Sequence, residues 1–199
     1  MDTIIRKLAD GDNLNTVAQL IYETDNCVFP RFFKESKASA KEILPQMMEL
    51  DTIFNKNNIY VALLDERIIG VMVILESPIK INISAYFEAF EKADSLIGTD
   101  FETVLKEYLL PLEYEPDGYF IACLCVDEDY RGRGVGGALI DGVLSELDPC
   151  RDVYLECSQD NTTARSVYEA HGFEELVKFT GFNGLPYCKM IKRVGCSLE

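Results

Sequence analysis

The sequence predicts a layered α/β (α+β) domain, and three observations carry that reading. Short apolar runs alternate with amphipathic ones along the chain. Two strand-like runs, at 59–64 and 68–75, flank Asp65-Glu66-Arg67, a polar connection short enough for a hairpin and therefore for antiparallel pairing. A length of 199 residues, 48% hydrophobic and 27% charged, is enough to build one sizeable core.

The elements follow in order. Residues 3–8 read as a first strand, and from Asn13 onward Leu14, Val17, Ala18 and Ile21 recur at helical spacing. A second helical stretch lies within 38–54, interrupted or started at Pro45, ahead of the hairpin. Residues 83–96 and 101–108 are predicted as helices within a segment of about forty residues, 79–118, that precedes the next strand at 119–126. Residues 136–147 put Ile140, Val143, Leu144 and Leu147 on one helical face, stopped by Asp148-Pro149, and 153–157 is again a strand. Asn161 or Thr162 caps a helix carrying Ala164, Val167, Tyr168 and His171 on one face, with Gly172 as its left-handed stop. Strands at 174–180 and 187–194 close the chain around a turn at 181–186. No repeat, low-complexity tract or linker divides it, so residues 1–199 are expected to form a single domain.

Composition excludes several classes. A net charge of −15 repels nucleic-acid phosphates and anionic membrane surfaces. The longest apolar run, 68–75, is far short of the roughly 20 residues that span a bilayer, and the first residues lack the pattern of a secretory leader, so a cytoplasmic location is expected. The seven cysteines are odd in number and sit mostly in apolar runs, which points to reduced packing thiols. Cys123 and Cys125 share a strand face, but with a single histidine, His171, no metal site is expected; His171 reads as the last turn of a helix.

The most informative segment is Val126-Asp-Glu-Asp-Tyr-Arg131-Gly132-Arg133-Gly134-Val135-Gly136-Gly137-Ala138, a glycine-rich turn between a strand and a helix. The first amides of a helix have no intrahelical partners and the helix dipole adds positive potential, so such a turn holds a pyrophosphate by main chain, with Arg131 and Arg133 adding charge. Gly132-x-Gly134-x-x-Gly137 formally matches the dinucleotide fingerprint, with Glu156 about twenty residues on. In that motif, however, the strand runs directly into the first glycine, whereas residues 127–131 intervene here and too little chain remains for a doubly wound sheet. A Walker loop fails because no Lys-Ser or Lys-Thr follows the glycines.

Arg131-Gly132-Arg133-Gly134-Val135-Gly136 resembles the acyl-CoA loop of the GNAT superfamily of N-acetyltransferases, Arg/Gln-x-x-Gly-x-Gly/Ala. The stretch Asn161-x-x-Ala164-x-x-x-Tyr168-x-x-x-Gly172-Phe173 is similar to that family's second signature, at the expected distance. The resemblance is tight over 119–173, extends through 194 and is architectural before that; the helical insertion at about 79–118 departs from the family's direct hairpin. It implies a mixed, mostly antiparallel central sheet flanked by helices. It also implies acetyl transfer from acetyl-CoA to a primary amine in a ternary complex, without a metal, by a monomer or homodimer. The pantetheine arm would pair with Leu124, Cys125 and Val126 like an added strand, and the pyrophosphate would lie on residues 131–137, Arg131, Gly132, Arg133, Gly134, Val135, Gly136 and Gly137.

Residue chemistry agrees with that activity. A backbone N–H near Cys125 is the natural donor to the carbonyl oxygen that gains charge. Tyr168 is the candidate acid for the departing thiolate, against the alternative of a core aromatic. Asn161 is a helix cap, a cofactor ligand, or both. The base that frees the amine stays open among Glu156, Glu113, Glu115, Asp117 and a water, and Glu156 has the competing role of pairing with an arginine such as Arg165. No basic partner is evident to make Cys123 or Cys125 an acyl carrier. The acidic balance favours a small cationic amine or a peptide amine as acceptor. An acyl-CoA sensor or scaffold without transferase activity is the alternative, and an NAD(P)-dependent oxidoreductase the third reading.

Overall fold

The structure, a computed structural model, describes residues 3–25, 28–33, 37–95, 101–181 and 184–194. A seven-stranded mixed sheet runs in the order β1-β2-β3-β4-β5-β7-β6. Its strands are β1 (Ile4–Lys7), β2 (Ile59–Leu64), β3 (Arg67–Glu76), β4 (Tyr119–Val126), β5 (Val153–Ser158), β6 (Glu174–Thr180) and β7 (Pro186–Lys192). Every pairing is antiparallel except β4 with β5. One face carries α1 (Leu14–Thr24), α2 (Val28–Phe32), α3 (Lys37–Met48), α4 (Ile83–Lys92) and α5 (Phe101–Val104); the other carries α6 (Val135–Leu144) and α7 (Thr162–Ala170). β2 and β3 are buried on both faces, Val61, Val71 and Val73 towards α1 and Ala62, Ile69 and Met72 towards α6, which is why they read as continuous apolar runs rather than alternations.

Three differences from the expected elements have physical causes. The helix around Pro45 neither starts nor breaks there, because α3 runs through it and buries Ile43, Leu44, Met47 and Met48. The helical stretch from Phe101 is longer than expected: a turn of π-helix (Leu105–Leu109) and a 3₁₀ segment (Leu110–Tyr114) extend α5, with Pro111 placed in the first turn of the latter, where its missing N–H costs nothing. The short α2, which carries buried Phe29 and Phe32, was not anticipated. Leu96, the expected end of α4, lies outside the described residues, as do Cys27 and Cys196. Cys123, Cys125, Cys157 and Cys188 are buried and free. Cys150 corrects the expectation of reduced thiols: it is disulfide-bonded, and it sits on an exposed turn where the packing argument does not apply. No helix among the described residues is long and apolar enough to cross a membrane.

Two details of β4 shape everything that follows. Its ladder with β3 slips between Val73↔Cys123 and Ile74↔Ile121, leaving Ala122 as a bulge that bends the strand. Its parallel ladder with β5 covers only residues 119–121 against 153–155. At that closed end Tyr119 N–H donates to the Asp152 carbonyl at 2.9 Å. Arg151 ties the same end to Glu76, to Asp117 at 2.8 Å and to the Ser77 carbonyl at 2.9 Å. Gly118 is required here, since at φ +144° a Cβ would lie 2.3 Å from the Asp152 oxygen.

Candidate active site

Beyond Ile121 the bulged β4 and the straight β5 part, and a cavity of about 520 Å³ opens between them. Ala122 and Leu124 line it from β4, and Glu156, Cys157 and Ser158 from β5; Ala164 and Tyr168 of α7 and its N-cap Asn161 also line it. The alternation of β4 turns Leu124 and Val126 towards the α6 layer and Cys123 and Cys125 towards α1. Burial pushes the Cys125 thiol up to about 11 and Cys123 further still, so neither is a ready thiolate.

The glycine loop leads from the end of β4 into α6. Gly132 and Gly134 are left-handed, with φ +71° and +82°, and Gly134 is the helix N-cap without a side-chain cap. The first intrahelical bond is Ala138 N–H to the Gly134 carbonyl, so the amides of Val135, Gly136 and Gly137 have no intrahelical acceptor. Arg131 folds back, its Nε donating to the Val126 carbonyl at 2.9 Å, which occupies that carbonyl. Arg133 and Arg67 both lie over the Tyr130 ring, 5.5 and 5.4 Å from its centroid. Gly134 and Gly137 also line a second cleft of about 500 Å³ between α6 and α7, with Ala138, Asp141, Val167 and His171. His171 is the C-cap of α7 and packs on Gly137, and its Nδ1 lies 2.7 Å from the Val167 carbonyl.

The glycines thus separate by role. A Cβ at Gly136 would meet only Val126 Cγ2 at 3.8 Å and otherwise project into open space, whereas at Gly137 it would strike His171 Nε2 at 2.7 Å. Gly136→Val is expected to leave the melting temperature nearly unchanged and to weaken acetyl-CoA binding about tenfold or more. Gly137→Val should instead destabilise the fold by about 1–3 kcal/mol. Arg133→Ala should give a smaller affinity loss that salt erases. Calorimetry and thermal melts check this, and equal affinity losses from all three would make the glycine positions non-contacting.

Tyr168 is 8% exposed and makes a T-shaped contact with Phe173 at 5.8 Å. Burial raises its phenol well above the ordinary value, so the hydroxyl keeps its proton at any working pH. Asn161 caps α7, its Oδ1 accepting from Ala164 N–H at 3.1 Å, while the residue also borders the cavity.

The four carboxylates considered as bases separate cleanly. Glu113 accepts from Ile81 N–H at 2.8 Å, Asp117 is held by Arg151, and neither lines the cavity, whereas Glu115 and Glu156 do. Glu156 faces Lys189 across the β5–β7 register, which corrects the expected pairing with Arg165, a residue that binds Glu175 and Glu169 instead. The Lys189 ammonium lies 2.7 Å from Glu115 and 3.7 Å from Glu156. Burial raises the Glu156 carboxyl above its ordinary range, Lys189 opposes this and Glu115 adds to it. Asp25, Phe29, Glu107 and Tyr108 also line the cavity and were missed in the sequence. Lys189, the charge inside the apolar run of β7, was the available signal. Among the described residues no cluster of His, Cys, Asp and Glu is arranged to hold a metal ion.

A mixed sheet that opens between two parallel strands, beside an uncapped helix start, offers an unpaired strand edge and free main-chain amides, the two features by which an extended ligand with an anionic end can be bound. Residues 113–194 match the family model described as Acetyltransferase (GNAT) domain. An uncharacterized protein of Mycobacterium leprae, ML0378, is 39% identical over 84 residues, covering 42% of this chain; the aligned region spans 21% of that relative's length. The fold is similar to that of an N-acetyltransferase from Staphylococcus aureus Mu50, with TM-score 0.70 and 19% identity over 94% of this chain and 99% of that one. It is also similar to a chain of the NatC complex bound to Gag peptide and CoA, with TM-score 0.60 and 16% identity over 98% of this chain and 100% of that one.

Proposed function

We propose that this chain is an N-acetyltransferase that moves an acetyl group from acetyl-CoA to a primary amine in one ternary complex. The observation that carries the reading is the parting of β4 from β5 after Ile121, which leaves a free strand edge followed, through the loop at 127–134, by the open amides of Val135, Gly136 and Gly137. The residues fit the co-substrate: the gap admits an extended arm beside Leu124, and Cβ-free Gly132, Gly134 and Gly136 leave room at the helix start. Arg133 adds charge there. Bound in this way, acetyl-CoA supplies an activated thioester.

The chain's own groups do the rest. Glu156, whose exposed surface faces the cavity, takes the proton of the acceptor ammonium on its carboxylate. A β4 amide near Cys125 donates to the carbonyl oxygen. Tyr168 holds a proton at its Oη for the departing sulfur. The helical segment at 79–118 supplies Glu107, Tyr108, Pro111, Leu112 and Glu115, and so forms the acceptor's wall.

Two measurements test this. Acetyl-CoA at about a hundredfold excess over its dissociation constant should stabilise the protein by about 2.7 kcal/mol in a thermal melt, with no shift from NAD or NADP. Thiol should be released from acetyl-CoA on addition of an amine panel. A shift with NAD alone overturns the family reading; binding without thiol release for any amine leaves a sensor.

A further inference from the structure

Lys189 is a half-buried cation set between two carboxylates that differ in their surroundings. It stands directly across the β5–β7 ladder from Glu156, with its ammonium 2.7 Å from Glu115 and 3.7 Å from Glu156. Glu115 ends the 3₁₀ segment, where its N–H closes the last turn on the Leu112 carbonyl, and its side chain is 8% exposed. Its second oxygen, Oε2, is buried without a hydrogen-bond partner. Such a pair is a poor source of stability, because desolvating two charges and leaving an acceptor unmet cancels much of their attraction. Its effect falls instead on Glu156, whose side chain is 38% exposed and lines the cavity.

The cavity itself does not favour an ionised Glu156. The other titratable groups that face it are Asp25 at the end of α1, Glu107 and Tyr108 of the π turn, Tyr168 of α7, Cys157 of β5 and Tyr187 of β7. No lysine or arginine lines the cavity among the described residues. Burial raises the Glu156 carboxyl, Lys189 lowers it and Glu115 raises it. We infer that Lys189 and Glu115 are positioning residues for the base: Glu115 fixes the ammonium, and the ammonium keeps the Glu156 carboxylate ionised and ready for the amine's proton. This rests on the transferase reading given above. One lysine needs two partners here. When Glu156 takes a proton its charge is gone, and Lys189 keeps Glu115 as counter-ion, so neither state leaves an unpaired cation in the wall. Through Glu115 the segment at 79–118 thus acts on the base as well as walling the acceptor.

The test titrates the Glu156 carboxyl by NMR in protein with isotope-labelled glutamate, its signal assigned by loss in Glu156→Gln. Lys189→Met should move the midpoint up by about one pH unit or more, because the ionised form loses its ammonium. Glu115→Gln should move it down, because the like charge is gone and the lysine serves Glu156 alone. Lys189→Arg, which keeps the charge, should stay close to the wild type. The acidic limb of kcat/KM in the thiol-release assay should move in the same directions. Lys189→Met strands Glu115 in the wall, so where that protein does not fold, Lys189→Met/Glu115→Gln takes its place and should titrate above Glu115→Gln. A midpoint that is unmoved or raised in folded Glu115→Gln overturns the inference. So does an activity limb that stays put while the midpoints move, since Glu156 is then not the base that limits the rate. Midpoints that move as expected while no amine of the panel releases thiol leave the electrostatics standing and overturn the transferase reading instead.

Discussion

Tyr168→Phe lowers turnover by about 10²-fold or more while acetyl-CoA binds nearly as well. The substitution removes one hydroxyl and keeps the ring that packs on Phe173, so stability should barely change. Burial holds the phenol above its ordinary pKa, so the residue is a proton holder rather than a base, and its loss is felt where the sulfur departs. The defect should appear in the chemical step and shrink with acyl donors whose thiol leaves more easily. Wild-type turnover in a folded Tyr168→Phe protein, under conditions where chemistry limits the rate, reduces Tyr168 to a core aromatic.

Glu156→Gln should cost about 10²–10⁴ in kcat/KM and remove the acidic limb of the pH profile. The sign follows from the direction of the shift. A carboxyl raised by burial stays protonated to a higher pH than usual, and only its ionised form accepts a proton, so wild-type activity climbs as pH rises through that raised value. The amide cannot titrate and the climb disappears. A Gln variant that keeps the limb assigns it to another group, with Glu115 the first to examine because it borders the same cavity.

The second half of the fold was readable because its local chemistry is unambiguous. The glycine run marks the start of α6, Asn161 and Gly172 bracket α7, and the strand expected at 174–180 is β6 to the residue. Residues whose role depends on distant chain were not readable. Ala122 carries no turn chemistry, and it becomes a bulge only because β3 fixes the register on either side of it. Pairing of Glu156 with an arginine such as Arg165 is one of two roles open in the sequence, but β7 brings Lys189 directly opposite. Glu113, Glu115 and Asp117 form one acidic stretch in the sequence, and only the packing of the 3₁₀ segment and the β7 lysine separates the buried Glu115 from its two neighbours.

The short ladder between β4 and β5 has a mechanical consequence. Main-chain bonding across the middle of the sheet is confined to residues 119–121 with 153–155, clasped by Gly118 and Arg151, so the protein is built as two leaves sewn along part of one edge. Side chains of the α6 and α7 layer complete the binding between them. Opening fluctuations concentrate at the unsewn end, where few backbone bonds resist them. On the proposed reading, a ligand arm lodged in the seam would supply the missing stitches and make the leaves one cooperative unit, so occupancy would be recorded in how the protein comes apart.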